Sequence, residues 1–273
     1  MSGPALADLI ALALDAGREI MAVRAAGFET KRKSDGSPVT IADQRAEAIV
    51  EAGLQRLAPG VPMIGEESVE AGRIPDPGER FFCIDPLDGT RGFAQGGDEF
   101  TVNIALVERG TPTVGVVYAP AVGALYAGAQ GQAWRAQVRG DALPALEPIT
   151  AAAHSAPSWR IVASRSKGHN QQTRAFVAAL GAHSQDDSAS SIKFCRVAEG
   201  AADLYPRFGE MSEWDAAAGH AILAAAGGGV MGLDGAPLAY GRQGDLFRIR
   251  SLIAFANENA RQAALTALAR TNA

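Results

Sequence analysis

The stretch "RFFCIDPLDGT", residues 80–90, constrains this chain more than any other. Phe81, Phe82, Cys83 and Ile84 are apolar at consecutive positions, so an extended strand there needs cover on both faces. Such a strand belongs in the interior of a sheet. It ends in Asp85 and Asp88, with Pro86 between them and Gly89 behind. A turn accounts for that grouping, since Asp, Pro and Gly are the usual residues between elements. A metal site accounts for it too, because two carboxylates held close together repel unless a cation lies between them.

The rest of the chain alternates in texture. Leu6, Leu9, Ile10, Ala13, Leu14 and Gly17 recur at helical spacing among Asp8, Asp15 and Arg18, which predicts an amphipathic helix and not an export signal. "KRKSDGSPVT" reads as a mobile loop. Ala42, Ala46, Ile49, Val50, Leu54 and Leu57 then form one helical stripe, with Thr40 as N-cap and Pro59 as terminator. "VPMIGEES" reads as a short strand ending in acid, and "AGRIPDPGE" as a loop. From Glu99 to Ala136 the segments "FTVNIALVE", "TVGVVYAP", "GALYAGAQ" and "AWRA" predict an antiparallel meander. "LPALEPITAAAHSAPS" is the softest connection, and it suggests regions 1–145 and 155–273 within one compact body. Beyond it lie a strand ("RIVAS"), a helix ("NQQTRAFVAALG") and a helix running into a short strand ("SIKFCRVAEGAADLYP"). A helix ending in glycines ("WDAAAGHAILAAAGGG") and a closing helix ("ARQAALTALART") complete the chain. Helices and strands alternating around a meander indicate a layered α/β architecture.

The 273 residues are 47% hydrophobic and 20% charged, as in an ordinary soluble globular protein. A formal charge of −5 gives no general attraction to nucleic acid or to anionic membrane, so an anionic substrate must be drawn by local cations or metal ions. No uncharged apolar run of membrane-spanning length occurs. The expected compartment is the cytoplasm, with peripheral association with the inner membrane left open, and the expected state is a monomer or homodimer. Cys83 and Cys195 lie in apolar segments and read as reduced core residues, and His154, His169, His183 and His220 are scattered singly. No zinc, dinucleotide, P-loop or nucleophile-elbow motif appears.

Acidic residues recur at element ends. Glu66 and Glu67 close one strand, Asp85 and Asp88 follow another, and Asp43 and Asp215 sit in helical first turns. Asp43 lies three residues after Thr40 and Asp215 three after Ser212, so each also fits a capping box. Together they point to a site, because strand ends are where α/β folds gather their chemistry.

"GEES" at 65–68, "DPLDGT" at 85–90 and "WDAAAG" at 214–219, in this order, resemble the inositol monophosphatase superfamily of metal-dependent, lithium-sensitive phosphatases. Within it, "SDGSPVTIAD", "DEFTVNIALVERGTPTVGVVYAP" and "KFCRVAEGAADLYPRFG" are similar to bacterial 3'(2'),5'-bisphosphate nucleotidases of the CysQ type, from about residue 5 to 260. The resemblance implies an αβαβα sandwich. It implies that Glu66, Asp85, Asp88 and Asp215, with the carbonyl of Leu87, hold about two or three Mg²⁺ ions. Asp43, Thr90 and Glu66 would be catalytic, Asp43 accepting a hydrogen bond from Thr90 and so orienting it to take a proton from the attacking water. Substrate contacts would come from Glu66, Leu87, Asp88, Gly89, Thr90, Ser164, Ser191, Lys193, Arg207 and Asp215.

The implied reaction is removal of the 3'-phosphate of adenosine 3',5'-bisphosphate, with its 5'-phosphosulfate analogue as a second substrate, in sulfur assimilation or nucleotide recycling. An inositol or sugar phosphatase, or a non-catalytic binding protein, are the alternatives. One stretch departs from the subfamily: "GDLFRIRSLIAFAN" lacks the usual Asn-Pro pair and carries Arg248 and Arg250, which would bear on the base or 5'-phosphate end of the pocket.

Overall fold

In the computed structural model, which describes residues 4–33, 36, 38–140, 144–153, 158–165 and 170–271, helix α1 (Leu6–Ala26) comes first. The paired strands β1 (Thr30–Arg32) and β2 (Pro38–Thr40) lead into α2 (Ile41–Leu57). Next come β3 (Met63–Gly65), the short helix α3 (Glu66–Glu70), β4 (Arg80–Asp88) and the short helix α4 (Thr90–Ala94). The strands β5 (Thr101–Glu108), β6 (Thr111–Ala119), β7 (Ala124–Ala129), β8 (Gln132–Gln137) and β9 (Glu147–Ile149) form the meander. Beyond it run β10 (Trp159–Ser164), α5 (Gln171–Leu180), β11 (His183–Ser188), α6 (Ile192–Ala198) and β12 (Leu204–Ser212). The chain closes with α7 (Glu213–Ala225), β13 (Gly229–Met231), β14 (Arg248–Phe255) and α8 (Glu258–Thr271).

Side-chain parity along the strands sorts these elements into layers. β3 to β9 make a seven-stranded sheet in chain order, and β11-β10-β12-β14-β13 make a five-stranded one. On β4, Phe82 and Ile84 join the apolar stripes of α1 and α2, with Leu9, Ile20, Val50 and Leu54. Phe81 and Cys83 point the other way, into a core shared with Phe194 of α6 and Trp214 of α7. On β14, Leu252 and Ala254 enter that same middle core, while Ile253 packs with Phe176 of α5 and Ala264 of α8. The order is therefore α1/α2, sheet, α6/α7, sheet, α5/α8, the expected αβαβα arrangement. Alternation with period two makes each sheet two-faced, and three separate cores follow.

Helix α7 lies close against the first sheet. A Cβ at Gly115 of β6 would stand 2.3 Å from the carbonyl oxygen of Ala218, so only glycine lets the helix approach this near. That approach brings the first turn of α7 beside the end of β4.

Several expectations are refined. β4 is interior but only one strand from the edge, since its outer neighbour is the three-residue β3. The stretch "KRKSDGSPVT", expected as a loop, has paired strands at its ends, Thr30–Arg32 against Pro38–Thr40; the first is exposed and polar and the second only three residues long, so neither carries an alternation signal. β11, "HSQDDS", is a polar edge strand parallel to β10 that no apolar pattern announces. β12 runs nine residues where a short strand is expected. Positions 34, 35 and 37, 141–143, 154–157 and 166–169, with His154 and His169 among them, lie outside the described residues. Cys83 and Cys195 are free and buried. Among the described residues no helix is long and apolar enough to cross a membrane.

Candidate active site

Positions three apart on a regular strand face opposite ways, so Asp85 and Asp88 need a break to act together. β4 has one. Asp85 pairs with Asn103 and Asp88 with Thr101, three steps on β4 against two on β5, which is a β-bulge. The bulge turns Leu87 into the core beneath α1 and α2, and leaves both aspartates toward α7. Pro86 fits there because β3 ends at Gly65, opposite Ile84, so the missing N–H faces no strand. Gly89 has φ of +95°, and a Cβ on it would lie 3.1 Å from the carbonyl oxygen of Glu99.

The helical aspartates each do two things at once. Asp215 is the third residue of α7, and its Oδ2 accepts from the backbone N–H of the N-cap, Ser212, at 3.0 Å. One carboxylate oxygen of each of Asp85, Asp88 and Asp215 lies within 4.8 Å of the others. Asp43, third in α2, uses Oδ2 for the backbone N–H and hydroxyl of Thr40, at 2.7 and 2.8 Å. Its Oδ1 lies 3.0 Å from the hydroxyl of Thr90, whose one proton has the carbonyl of Leu87 at 2.9 Å as its other acceptor. The capping and site readings therefore hold together, one oxygen for each.

Burial and mutual repulsion raise the affinity of this cluster for protons. Desolvation pushes the Asp88 carboxyl up to about 6, with the charge of Asp215 adding to it. Burial also raises Asp85, reinforced by Glu66, Asp88 and Asp215, and raises Asp215, which shares a hydrogen bond with Asp85. Glu66 is pushed to about 8 and Glu67 to about 7, again chiefly by burial. Acids this costly to ionise, and this close together, could hold a metal ion.

Glu66 lies in a second acidic group with Glu67 and Glu70. The ammonium of Lys33 sits among them, 2.7, 2.6 and 2.7 Å from their oxygens. Burial lowers the Lys33 pKa, but the charge of Glu66 and three hydrogen bonds outweigh this and the net shift is upward. Behind α3, the buried Glu47 accepts from the N–H of Glu67 at 2.9 Å and from the hydroxyl of Ser68.

A cavity of about 460 Å³ opens on the triad, lined by Asp88, Gly89 and Asp215 and by Ser164, Ser190, Lys193, Tyr205 and Arg207. Lys193 is only 5% exposed, and burial lowers its ammonium to about 8. It donates to the carbonyl of Ser190 and stands 5.4 Å from the ring centre of Tyr205. Arg207 is 8% exposed; its Nη2 donates to the carbonyl of Glu210 at 3.0 Å, while the buried Nη1 has no partner. Glu99 joins the two halves of the rim, accepting from Arg165 at 2.9 Å and from the N–H of Ala189 at 2.7 Å. Larger grooves of about 830 and 700 Å³ contain no member of the Asp85, Asp88 and Asp215 triad.

Not every expected residue lies where the sequence suggests. Ser191 is buried, and its hydroxyl contacts Asp88, Asp215 and Asn103; Ser190 lines the cavity. Arg248 donates to the hydroxyl of Ser212 at 2.9 Å, at the start of α7, and neither it nor Arg250 lines the cavity. Sequence reasoning overlooked Lys33, Glu47, Glu99 and Asn103. Each is a single residue of ordinary type whose partner is far along the chain, so no local pattern could reveal it.

The inositol monophosphatase family profile matches residues 4–271. The 3'(2'),5'-bisphosphate nucleotidase CysQ of Salmonella typhimurium is 43% identical over 245 residues, 86% of this chain and 93% of that protein. Among solved structures, CysQ from Bacteroides thetaiotaomicron superposes with a TM-score of 0.75 at 34% identity, over 92% of this chain and 96% of that one. The inositol monophosphatase from Anabaena sp. PCC 7120 gives 0.74 at 28% identity, over 97% and 95%.

Proposed function

The chain belongs to the inositol monophosphatase family, and from that premise we propose that it is a Mg²⁺-dependent 3'(2'),5'-bisphosphate nucleotidase. It hydrolyses the 3'-phosphate of adenosine 3',5'-bisphosphate to give AMP and phosphate. One observation carries the nucleotide reading: Asp88 and Asp215 of the carboxylate triad line the same cavity as two buried cations, Lys193 and Arg207, the latter holding an unpartnered N–H. A substrate with one phosphate uses the first feature. A bisphosphate uses both.

The donor set fits a hard cation, since it consists of oxygens alone and its acids bind protons until a cation replaces them. Asp85, Asp88 and Asp215 would hold one ion, and Glu66 with the Leu87 carbonyl would complete the ligand set for two or three. When bound, the cations neutralise charge on the phosphate and activate the attacking water. Lys33 then has to release Glu66, and its exchange with Glu67 and Glu70 keeps its charge satisfied nearby. Thr90 gives its single proton to Asp43, which frees the Leu87 carbonyl and leaves the hydroxyl lone pairs to accept a proton from water. Burial raises the proton affinity of Asp43, which suits it to take the Thr90 proton as Thr90 takes one from the water. Arg207 and Lys193 hold the phosphate that is not cleaved, with Ser164 and Ser190 beside it.

Uncatalysed phosphomonoester hydrolysis is extremely slow, so positioning and electrostatics must supply the rate. Phosphate release from adenosine 3',5'-bisphosphate, its 5'-phosphosulfate analogue and inositol 1-phosphate, each with and without Mg²⁺, tests the assignment. Preference for the nucleotides is expected. Preference for inositol 1-phosphate would overturn it.

A further inference from the structure

Asn103 lies on β5 directly opposite Asp85 and is 0% exposed. Its neighbours on the same face, Ala105 and Val107, are apolar and belong to the middle core. An amide in that row costs desolvation that an apolar side chain would avoid, and its Oδ1 has no hydrogen-bond partner. Fold stability alone does not call for it.

The amide nitrogen has a definite task. Asn103 Nδ2 donates to the hydroxyl of Ser191 at 2.9 Å. That hydroxyl faces two oxygens, Asp88 Oδ2 at 3.1 Å and the backbone carbonyl of Asp215 at 2.8 Å. A carbonyl only accepts, and so does an ionised carboxylate, so Ser191 gives its one proton to them and must receive the Asn103 N–H. The chain of donation thus runs from the seven-stranded sheet, through the N-cap of α6, to the carboxylate on β4 and the first turn of α7. Three separate elements meet on one hydroxyl.

We propose that Asn103 is a positioning residue for the metal-binding carboxylates: by holding Ser191, and by its own side-chain contact with Asp88, it sets the orientation of Asp88 and the place of Asp215. This rests on the reading of Asp85, Asp88 and Asp215 as metal ligands. Partners that orient ligands in this way typically change metal affinity by about 10- to 100-fold when removed.

The test is calorimetric titration of the full chain with Mg²⁺ alone, for wild type, Asn103→Ala, Ser191→Ala, the double variant and Asp88→Asn. Asn103→Ala and Ser191→Ala are each expected to weaken Mg²⁺ binding by about tenfold or more. The double variant should lose less than the two single losses combined, because both side chains act on the same carboxylate. In turnover assays the Mg²⁺ needed for half-maximal rate should rise in parallel, while KM for the nucleotide at saturating Mg²⁺ stays within about threefold. Unchanged Mg²⁺ binding in Asn103→Ala, with binding lost in Asp88→Asn, overturns the positioning role and leaves the metal site standing. Additive losses in the double variant also overturn it. Unchanged binding in Asp88→Asn would instead sink the metal reading itself. If Asn103→Ala does not fold, Ser191→Ala carries the same test from the other side of the link.

Discussion

The two walls of the cleft are built by different means. The acidic wall comes from short segments whose geometry is local: a bulge in β4 turns Asp85 and Asp88 together, and a capping box seats Asp215. The basic wall is assembled one residue at a time, Lys193 from α6 and Arg207 from β12, each held by a nearby backbone carbonyl. Carboxylates that repel one another wait for a cation, and they act as a unit. The cations face Asp88 and Asp215 and come from two separate elements, so each offers its own contact to an anion. Loss of one acid should therefore stop chemistry, whereas loss of one base should weaken binding.

Asp88→Asn puts the sharpest strain on that contrast. It keeps the size of the side chain and removes a charge from the triad, so kcat should fall by about a hundredfold or more with the fold intact. Retention of more than about a tenth of the rate at saturating Mg²⁺, a barrier change of roughly 1.4 kcal/mol or less, would remove Asp88 from the ligand set.

On the basic wall, Arg207→Ala should raise KM for adenosine 3',5'-bisphosphate by roughly ten- to a hundredfold, the equivalent of a charge-assisted contact of about 1.5–3 kcal/mol. kcat should change little, and a small monophosphate should hardly notice. Equal losses on both substrates would place Arg207 beside the scissile phosphate and blur the two walls.

Lys193→Met separates function from stability on the same wall. Burial holds the Lys193 pKa near 8, below its ordinary value, so the charged form is disfavoured in the folded state. Replacing it should stabilise the protein at pH 7, by on the order of 1–3 kcal/mol, while raising KM. A loss of thermal stability would show that the ammonium is well compensated where it lies.

The mildest test is the pH dependence of melting without metal. Glu66, Glu67 and Asp88 bind protons near 8, 7 and 6 in the folded state, above their unfolded values. Between about pH 5 and 8 the native state then holds more protons than the unfolded one, and stability falls as pH rises. Lys193 has the opposite sign. Its folded pKa lies below the unfolded value, so between about pH 8 and 10 the unfolded state holds the extra proton and this contribution to stability rises with pH. The melting temperature of metal-free protein should drop by a few degrees from pH 5 to 8, and saturating Mg²⁺ should flatten the drop. A rise over that window would contradict the raised acids.

The sequence was informative wherever physics acts along the chain. Apolar runs and helical stripes marked β4, α1, α2 and the meander, and turn chemistry marked the aspartates at the end of β4. Spacings of three marked Asp43 and Asp215 as first-turn acids, with Thr40 and Ser212 as their caps. These features depend on neighbours within a few positions, and a single sequence contains them whole.

Tertiary structure decided the rest. β1 and β11 are polar strands, and β2 is only three residues long, so their hydrogen bonds come from partners rather than from any apolar pattern of their own. Lys33 meets Glu66 across 33 residues, Asn103 meets Ser191 across 88, and Ser191 meets Asp88 across 103. The place of Ser191 beside Asp88, with Ser190 at the cavity instead, follows from how α6 enters the middle layer. An acid at a strand end announces itself through its immediate neighbours, but the partner that holds it is chosen by packing between layers, and that choice exists only in the folded chain.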